Sequence, residues 1–275
     1  MAGLITTPCA SEGGHFYDSL TQKPVYTIIG RHGKERNTTV ADMKRLRADN
    51  VFLVPGVSSI TSQANAYGLN NWNEDQVLLA TLTLPRIDGE SEKTWIKRIK
   101  ADAKETARKA RERGTQIHAW IQAAFEGRWD DVTPLGVEYY DVVQAALKAE
   151  YLGSVDWRIE HPFATDRFGG KVDLHSQSWG KVGKPYCGFV LDIKTTDKPL
   201  ADMKLYDSHF MQLGAYRRGL CLPNAQCGII FVSTLDKAAK VMQCEEKDLK
   251  RGEGMFEALT TFWYARTGLE ASHDR

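Results

Sequence analysis

No apolar run in the sequence approaches the roughly 20 residues a membrane-spanning helix needs. The opening stretch, MAGLITTPCASEGG, also lacks the basic segment and apolar core of a secretory signal. The expectation is therefore no membrane association and a cytoplasmic protein, in a bacterial or phage-infected cell or in an organelle. No Cys-x-x-Cys occurs, and the five cysteines (Cys9, Cys187, Cys221, Cys227, Cys244) are odd in number and irregularly spaced. That argues against a disulfide framework and against a zinc site. It also disfavours an iron–sulfur cluster held by Cys9 and the three C-terminal cysteines. Neither GxGxxG nor GxxxxGK[S/T] is present, which removes the dinucleotide-binding and P-loop classes. There is no internal repeat and no low-complexity tract. Charge of either sign is barely in surplus: 36 Lys and Arg against 35 Asp and Glu give a formal net charge of +1, so overall charge selects no partner.

What is present is enough chain, at 275 residues, to bury a real core. The pattern predicts a strand over 25–29, a short helix over 39–48 and a strand over 51–54. Pro55-Gly56 breaks the chain, and Ser58 or Ser59 can cap a helix over 60–67. A helical stretch over 72–83 leads to a turn at 85–89, and Ser91 opens a long helix, 92–126, that Gly127 ends. Another helix follows over 136–151. From Ser154 the texture changes to three short strand-like runs, VDWRIEHPFA, GGKVDLHS and YCGFVLDIKTT, with a tight turn at 166–170. A helix containing Phe210, Leu213 and Tyr216, two more strands (QCGIIFVST, KAAKVMQC) and a closing helix over 245–267 complete the chain. The sum is an α/β (α+β) protein, a central mixed sheet flanked by helices in the order αβββαβ. Residues 1–90 form an N-terminal elaboration with helical additions, and 91–275 form the core of what is expected to be one compact domain.

Two local features carry charge where a fold alone would not place it. Between Lys93 and Arg113 stand nine Lys and Arg against three acids, on a predicted helix. Such a face is either solvated and laced with i,i+4 pairs or an electrostatic footprint for a phosphate backbone. The second feature is the run GFVLDIKTTDK, which sets Asp192 and Lys194 directly behind an apolar strand. Side chains alternate along a strand, so Asp192 and Lys194 share one side and Ile193 takes the other. The preceding hairpin strand carries Asp173 between Val172 and Leu174. If the two strands are neighbours, two carboxylates and one lysine converge, and one lysine only partly offsets the repulsion. A hard divalent cation, Mg²⁺ or Mn²⁺, one ion or two, resolves the conflict because it favours carboxylate oxygens.

Four motifs in order resemble the PD-(D/E)XK nuclease superfamily, and within it the RecB-like exonuclease branch. RGTQIHAWIQAAFEG resembles the helical Gly-x-x-x-His motif (Gly114, His118). IEHPFATDRFGGKVDLH resembles the Glu…Gly-x-x-Asp segment (Glu160, Gly170, Asp173). VLDIKTT matches Asp-x-Lys-Thr (Asp192, Lys194, Thr195), and HFMQLGAYRRGL matches Gln-x-x-x-Tyr (Gln212, Tyr216). The likeness covers roughly residues 110–235. In addition, VPGVSSITSQANAYGLNNW is similar to the Pro-Ser-Val-Thr-Thr…Trp entry segment of phage and mitochondrial single-strand exonucleases, with Pro-Gly-Val-Ser-Ser in its place.

The resemblance implies a restriction-endonuclease-like core and an Mg²⁺- or Mn²⁺-dependent deoxyribonuclease acting at DNA ends, in recombination, repair or phage DNA processing. Asp173 and Asp192 are then the principal metal ligands, with the Ile193 carbonyl as a third oxygen. His118, on an apolar helix face with Gly114, Ile117 and Ile121 where a histidine is ordinarily a satisfied core residue, becomes a nitrogen ligand. Lys194 positions or deprotonates the attacking water and stabilises the pentavalent phosphate. Glu160 orients a metal-associated water or the substrate end, or else makes a salt bridge at the strand edge. Gln212 and Tyr216, at i,i+4, share a helical face toward the site. Lys104, Arg108, Arg111 and Arg113 on the basic helix and Thr195 beside the lysine are the expected DNA contacts, and Trp120, Trp129 and Trp157 are candidates for base stacking. Expected partners are single- or double-stranded DNA ends and a single-strand annealing or binding protein. The alternatives are an endonuclease of the same superfamily and a non-catalytic DNA-binding module that kept the fold.

Overall fold

A computed structural model describes residues 4–5, 15–30, 33–64, 67–151, 155–177 and 188–270; Cys9 and Cys187 lie outside them. The chain divides into two compact units, residues 1–64 with 138–275, and residues 65–137. Glu90, where the sequence reading ends the N-terminal elaboration, belongs to the second unit.

The N-terminal part of the first unit comprises β1 (Leu4–Ile5), β2 (Phe16–Asp18), β3 (Thr27–Ile29), β4 (Glu35–Asn37), α1 (Val40–Arg47), β5 (Leu53–Pro55) and α2 (Val57–Thr61). β1, β3 and β4 form a three-stranded sheet, and β2 pairs with β5. Asp42 in the first turn of α1 is buried, yet both of its oxygens are engaged. It accepts the Thr39 backbone N–H at 3.0 Å and a two-pronged guanidinium from Arg36 at 2.7 and 2.8 Å. The reciprocal cap starts the helix, and the Arg36 guanidinium, ahead of the hydrogen bonds from Thr39, holds the Asp42 carboxyl far below the usual carboxylate range.

The second unit is built on α3 (Tyr67–Thr83) and α4 (Glu92–Phe125). Ser91 caps α4 by accepting the Thr94 N–H, as its position before the charged run predicts. The two helices meet through Ala80, Ile99 and Ala103, with Trp95 beside them. The Trp95 indole N–H closes the corner by donating to the Leu84 carbonyl at 2.8 Å. Gly127, at φ +73°, supplies the left-handed residue that follows the helix.

From Glu138 on, the first unit resumes with α5 (Pro134–Glu150), β6 (Arg158–Ala164), β7 (Gly169–Ser176), β8 (Phe189–Thr196), α6 (Asp207–Gly219), β9 (Gln226–Ser233), β10 (Ala238–Gln243) and α7 (Glu246–Thr267). The five strands form one mixed sheet in the order β10-β9-β8-β7-β6. Every neighbouring pair is antiparallel except β8 and β9, which run parallel over eight residue pairs with α6 as the crossover between them. This is the expected α/β arrangement, and the near-continuous apolar runs of β8 and β9 reflect burial on both faces. Leu213 of α6 and Leu249, Phe256 and Trp263 of α7 share a core with Val190, Ile229 and Phe231. α6 is tied to α7 by Arg217, only 3% exposed, whose guanidinium reaches Glu246 at 2.7 Å and Glu253 at 2.8 Å.

Candidate metal centre

The sheet opens where the acidic residues sit. β7 and β8 pair only over Leu174↔Leu191, His175↔Val190 and Ser176↔Phe189. At the next step the ladder is replaced by a side chain: the Asp173 carboxylate accepts the Ile193 backbone N–H at 2.7 Å. The strands therefore part between Asp173 and Asp192, and β8 is held in place by its other neighbour, β9. On the far side of β7, the pairing with β6 skips one position. Ile159 pairs with Leu174 and His161 with Val172, while Glu160 between them has φ +49°. A bulky residue held in the left-handed region costs of order 1–3 kcal/mol, and such residues concentrate at functional sites. Glu160 thus leaves the ladder opposite Asp173.

The electrostatics register the convergence. Burial, followed by the negative charges of Asp192 and then Glu160, pushes the Asp173 carboxyl well above the ordinary carboxylate range, with Lys194 and the Ile193 N–H pulling the other way. Asp192 is 2% exposed. One of its oxygens faces the Lys194 ammonium at 2.7 Å and accepts no other hydrogen bond among the described residues. Its second oxygen accepts the Gln212 side-chain amide at 2.8 Å. Burial works to lower the Lys194 pKa, but Asp192 and Asp173 outweigh it and keep the ammonium above its usual range. Glu160 forms an ion pair with Lys171. The contacting oxygen is buried and, among the described residues, accepts no hydrogen bond beyond that pair. The strand-edge salt bridge, one of the two readings of Glu160, is therefore present.

α6 furnishes the other wall. Gln212 donates both to Asp192 and to the Tyr216 hydroxyl, each at 2.8 Å, so the i,i+4 pair acts on the Asp192 carboxylate. Burial and then Asp192 and Asp173 push the Tyr216 phenol well above its normal range, leaving it a neutral hydroxyl. Gly170 has a steric reason to be glycine: a Cβ there would lie 2.8 Å from a Phe163 ring carbon and 2.9 Å from one of Tyr216. The motif glycine lets the β7 backbone approach the aromatic pair that backs the site.

Two basic or titratable neighbours were not anticipated. Lys171 stands two residues before Asp173, hence on the same strand face. His209 stands one helical turn before Gln212. Its Nδ1 accepts the Tyr206 N–H at 3.1 Å, and burial, followed by the nearby Lys194 charge, lowers its pKa to about 4. In each case the signal was available as strand or helix spacing from a motif residue. His161 and His175 lie with ring centroids 4.8 Å apart, and His175 is fully buried.

His118 belongs to the second unit, half-buried on α4 beside the fully buried Ile117 and Ile121. Among the basic residues of that helix, Arg108 is clamped by Glu105 at 2.6 Å and also pairs with Glu112, which is the solvated-face pattern. Lys104, Arg111 and Arg113 are exposed on the same helix, and Thr195 is half-buried on β8 next to Lys194. The tryptophans divide. Trp157, half-buried, packs on Tyr151 and Phe189, with ring centroids 5.8 and 5.7 Å away. Trp120 fills the space against Gly136, whereas Trp129 is 50% exposed.

The donor set of the first unit, three converging carboxylates with two oxygens whose sole partners among the described residues are lysine ammoniums, fits a hard divalent cation. Searches against protein families and curated proteins return no match to this chain. Among solved structures, a protein titled "Crystal structure of SSO0001" is similar at 14% identity, covering 53% of this chain and 74% of that one, with a TM-score of 0.25. Likeness at that level bears on neither mechanism nor substrate. Among the described residues, no helix is long and apolar enough to cross a membrane.

Proposed function

We propose that this chain is an Mg²⁺- or Mn²⁺-dependent deoxyribonuclease that hydrolyses phosphodiester bonds at DNA ends, with the restriction-endonuclease-like core that its motifs resemble. One observation carries the reading. Asp173, Asp192 and Glu160, from three adjacent strands, meet where the β7–β8 ladder opens, and Lys194 lies against Asp192 at 2.7 Å. A purely structural salt bridge would need one carboxylate per lysine and would not open the sheet beside the pair.

Asp173 and Asp192 would hold the cation, with the Ile193 carbonyl as a further oxygen and His118 as the nitrogen ligand that the motif resemblance assigns. When bound, the cation supplies Lewis-acid activation of water and charge neutralisation at the phosphate. The chain's own residues do the rest. Gln212 fixes the rotamer of Asp192 through one oxygen and leaves the other for coordination. Lys194, held as an ammonium by its two carboxylate neighbours, stabilises the extra negative charge of the pentavalent phosphate. Its raised pKa favours that electrostatic role over proton abstraction, because a base must first lose its proton. Glu160 orients water or the substrate end from the β6 side. Thr195 and the exposed Lys104, Arg111 and Arg113 are proposed contacts to the DNA backbone. Arg108 joins them on giving up its two intrahelical partners.

The test is cleavage of end-labelled linear DNA with Mg²⁺ or Mn²⁺ by wild type and Lys194→Ala. Loss of activity by at least about a hundredfold in the variant is expected, and equal activity in the two would sink the mechanism. A covalently closed circle left intact supports the exonuclease, whereas nicking it indicates an endonuclease. No turnover at all, with Mn²⁺ binding unaffected in Asp173→Ala, would leave the non-catalytic module.

A further inference from the structure

We infer that Lys171 is a second phosphate-positioning lysine of this site, parked on Glu160 while the divalent cation is absent and released toward the scissile phosphate when the cation engages that carboxylate. This rests on the metal-dependent reading above and extends it to a residue that no motif of the chain assigns.

The placement comes first. Lys171 and Asp173 are separated by one residue on β7, so both side chains leave the same face of the strand. Glu160, displaced from the β6 ladder by its left-handed backbone, is the residue Lys171 reaches. The pairing is asymmetric in exposure: the Glu160 side chain is 11% exposed, whereas that of Lys171 is 32% exposed. The carboxylate is fixed and desolvated, while the long lysine stem lies partly in solvent and can swing. Removing an ammonium from a buried carboxylate leaves that charge uncompensated, which costs several kcal/mol unless another cation replaces it. A divalent ion beside Asp173 is such a replacement, so ion and lysine compete for the same oxygen.

The charge count points the same way. With all three carboxyls ionised, Glu160, Asp173 and Asp192 oppose Lys171 and Lys194, three negative charges against two positive. A divalent ion brings the set to a net +1, matching the single negative charge of a phosphodiester. Two ammoniums, one from β7 and one from β8, would then stand on either side of the carboxylates.

The experiment measures Mn²⁺ affinity by calorimetry on the DNA-free protein. It also measures binding of a fluorescein-labelled duplex with a single-stranded end, in Ca²⁺ and without added metal, for wild type, Lys171→Met, Lys171→Arg and Glu160→Gln. With its competitor removed, Lys171→Met is expected to bind Mn²⁺ about tenfold tighter and the DNA about tenfold weaker. Lys171→Arg is expected to recover DNA binding. Glu160→Gln is expected to shift both the other way, with weaker Mn²⁺ and tighter DNA in the absence of added metal. A merely structural bridge would lower the melting temperature in Lys171→Met and Glu160→Gln alike, without these opposed changes. If wild type binds Mn²⁺ and Lys171→Met binds it with unchanged or lower affinity, the inference about Lys171 fails alone. If wild type binds no Mn²⁺, the metal-centre reading fails with it.

Discussion

Asp173→Asn should make the metal-free protein more stable while abolishing the proposed DNA cleavage. Asp173 is the carboxyl whose ionisation the fold opposes: burial, then Asp192 and Glu160, raise its pKa far above the ordinary range. A group whose folded pKa is raised contributes stability that is complete below its unfolded value, near 3.8, and lost as pH rises through the folded value. The wild type therefore loses stability on the alkaline side, at about 1.4 kcal/mol for each pH unit of the displacement. An asparagine oxygen can still accept the Ile193 N–H, now 2.7 Å from the carboxylate. The substitution forfeits only the charge-assisted part of that bond, about 1 kcal/mol. It also removes repulsion with two carboxylates, each worth about 2–4 kcal/mol at close range, offset in part by the lost attraction to Lys194. The net expectation is a gain of about 1–3 kcal/mol at pH 9, shrinking toward zero at pH 5. That corresponds to roughly 3–8 °C in melting temperature for a chain of this size. Thermal melts in EDTA across that range give the comparison. Adding Mn²⁺ at about a hundred times its Kd should stabilise wild type by about 2.7 kcal/mol and leave the variant unmoved. A variant less stable than wild type at pH 9, or one that keeps its Mn²⁺ shift, would refute the picture of crowded carboxylates awaiting a cation.

Because Asp173 must release its proton to coordinate, Mn²⁺ affinity should rise with pH, and calorimetry in two buffers should show proton release on binding; a pH-independent affinity with no release would contradict this. Gln212→Ala should reduce kcat about 10- to 100-fold with little change in KM, since it frees the Asp192 carboxylate to rotate, and steady-state kinetics would expose a KM effect instead. His118→Ala should weaken Mn²⁺ binding about 10- to 100-fold without lowering the melting temperature by more than a few degrees; intact affinity would return His118 to a packing role. Arg217→Ala should lower stability by about 2–4 kcal/mol, less than a fully buried pair because Glu246 and Glu253 retain some solvent, with activity per folded molecule unchanged.

The architecture was legible because its signals are local and redundant. Ser91 and Gly127 bracket α4 as a cap and a left-handed stop, and the apolar runs of β8 and β9 announce strands buried on both faces. Strand boundaries at β3 and β5 came out two residues off at their starts, since strands of three residues carry little pattern of their own and depend on their partners. Asp173, Asp192 and Lys194 were readable as one group because alternation along a strand and adjacency in a hairpin are arithmetic. The backbone conformation of Glu160 was not. Alternation puts Glu160 on a face only if β6 is regular, and the backbone at Glu160 adopts φ +49° and leaves the ladder. No composition or spacing rule signals a left-handed glutamate, because the strain is stabilised by the surrounding sheet and not by the residue itself. Lys171 could be placed by its spacing from Asp173, but its ion pair became visible only with the displaced Glu160. The opening of the β7–β8 ladder is likewise a tertiary event, in which the Asp173 side chain takes the amide that a strand neighbour would otherwise bond. One interaction thereby does two things, satisfying a buried N–H and spreading the strands that carry the acidic pair. A site of this kind cannot be stable and closed at once: closing the ladder would press Asp173 against Asp192 with one lysine between them. The fold keeps the gap open, at the expense of regular pairing, beside Asp173 and Asp192.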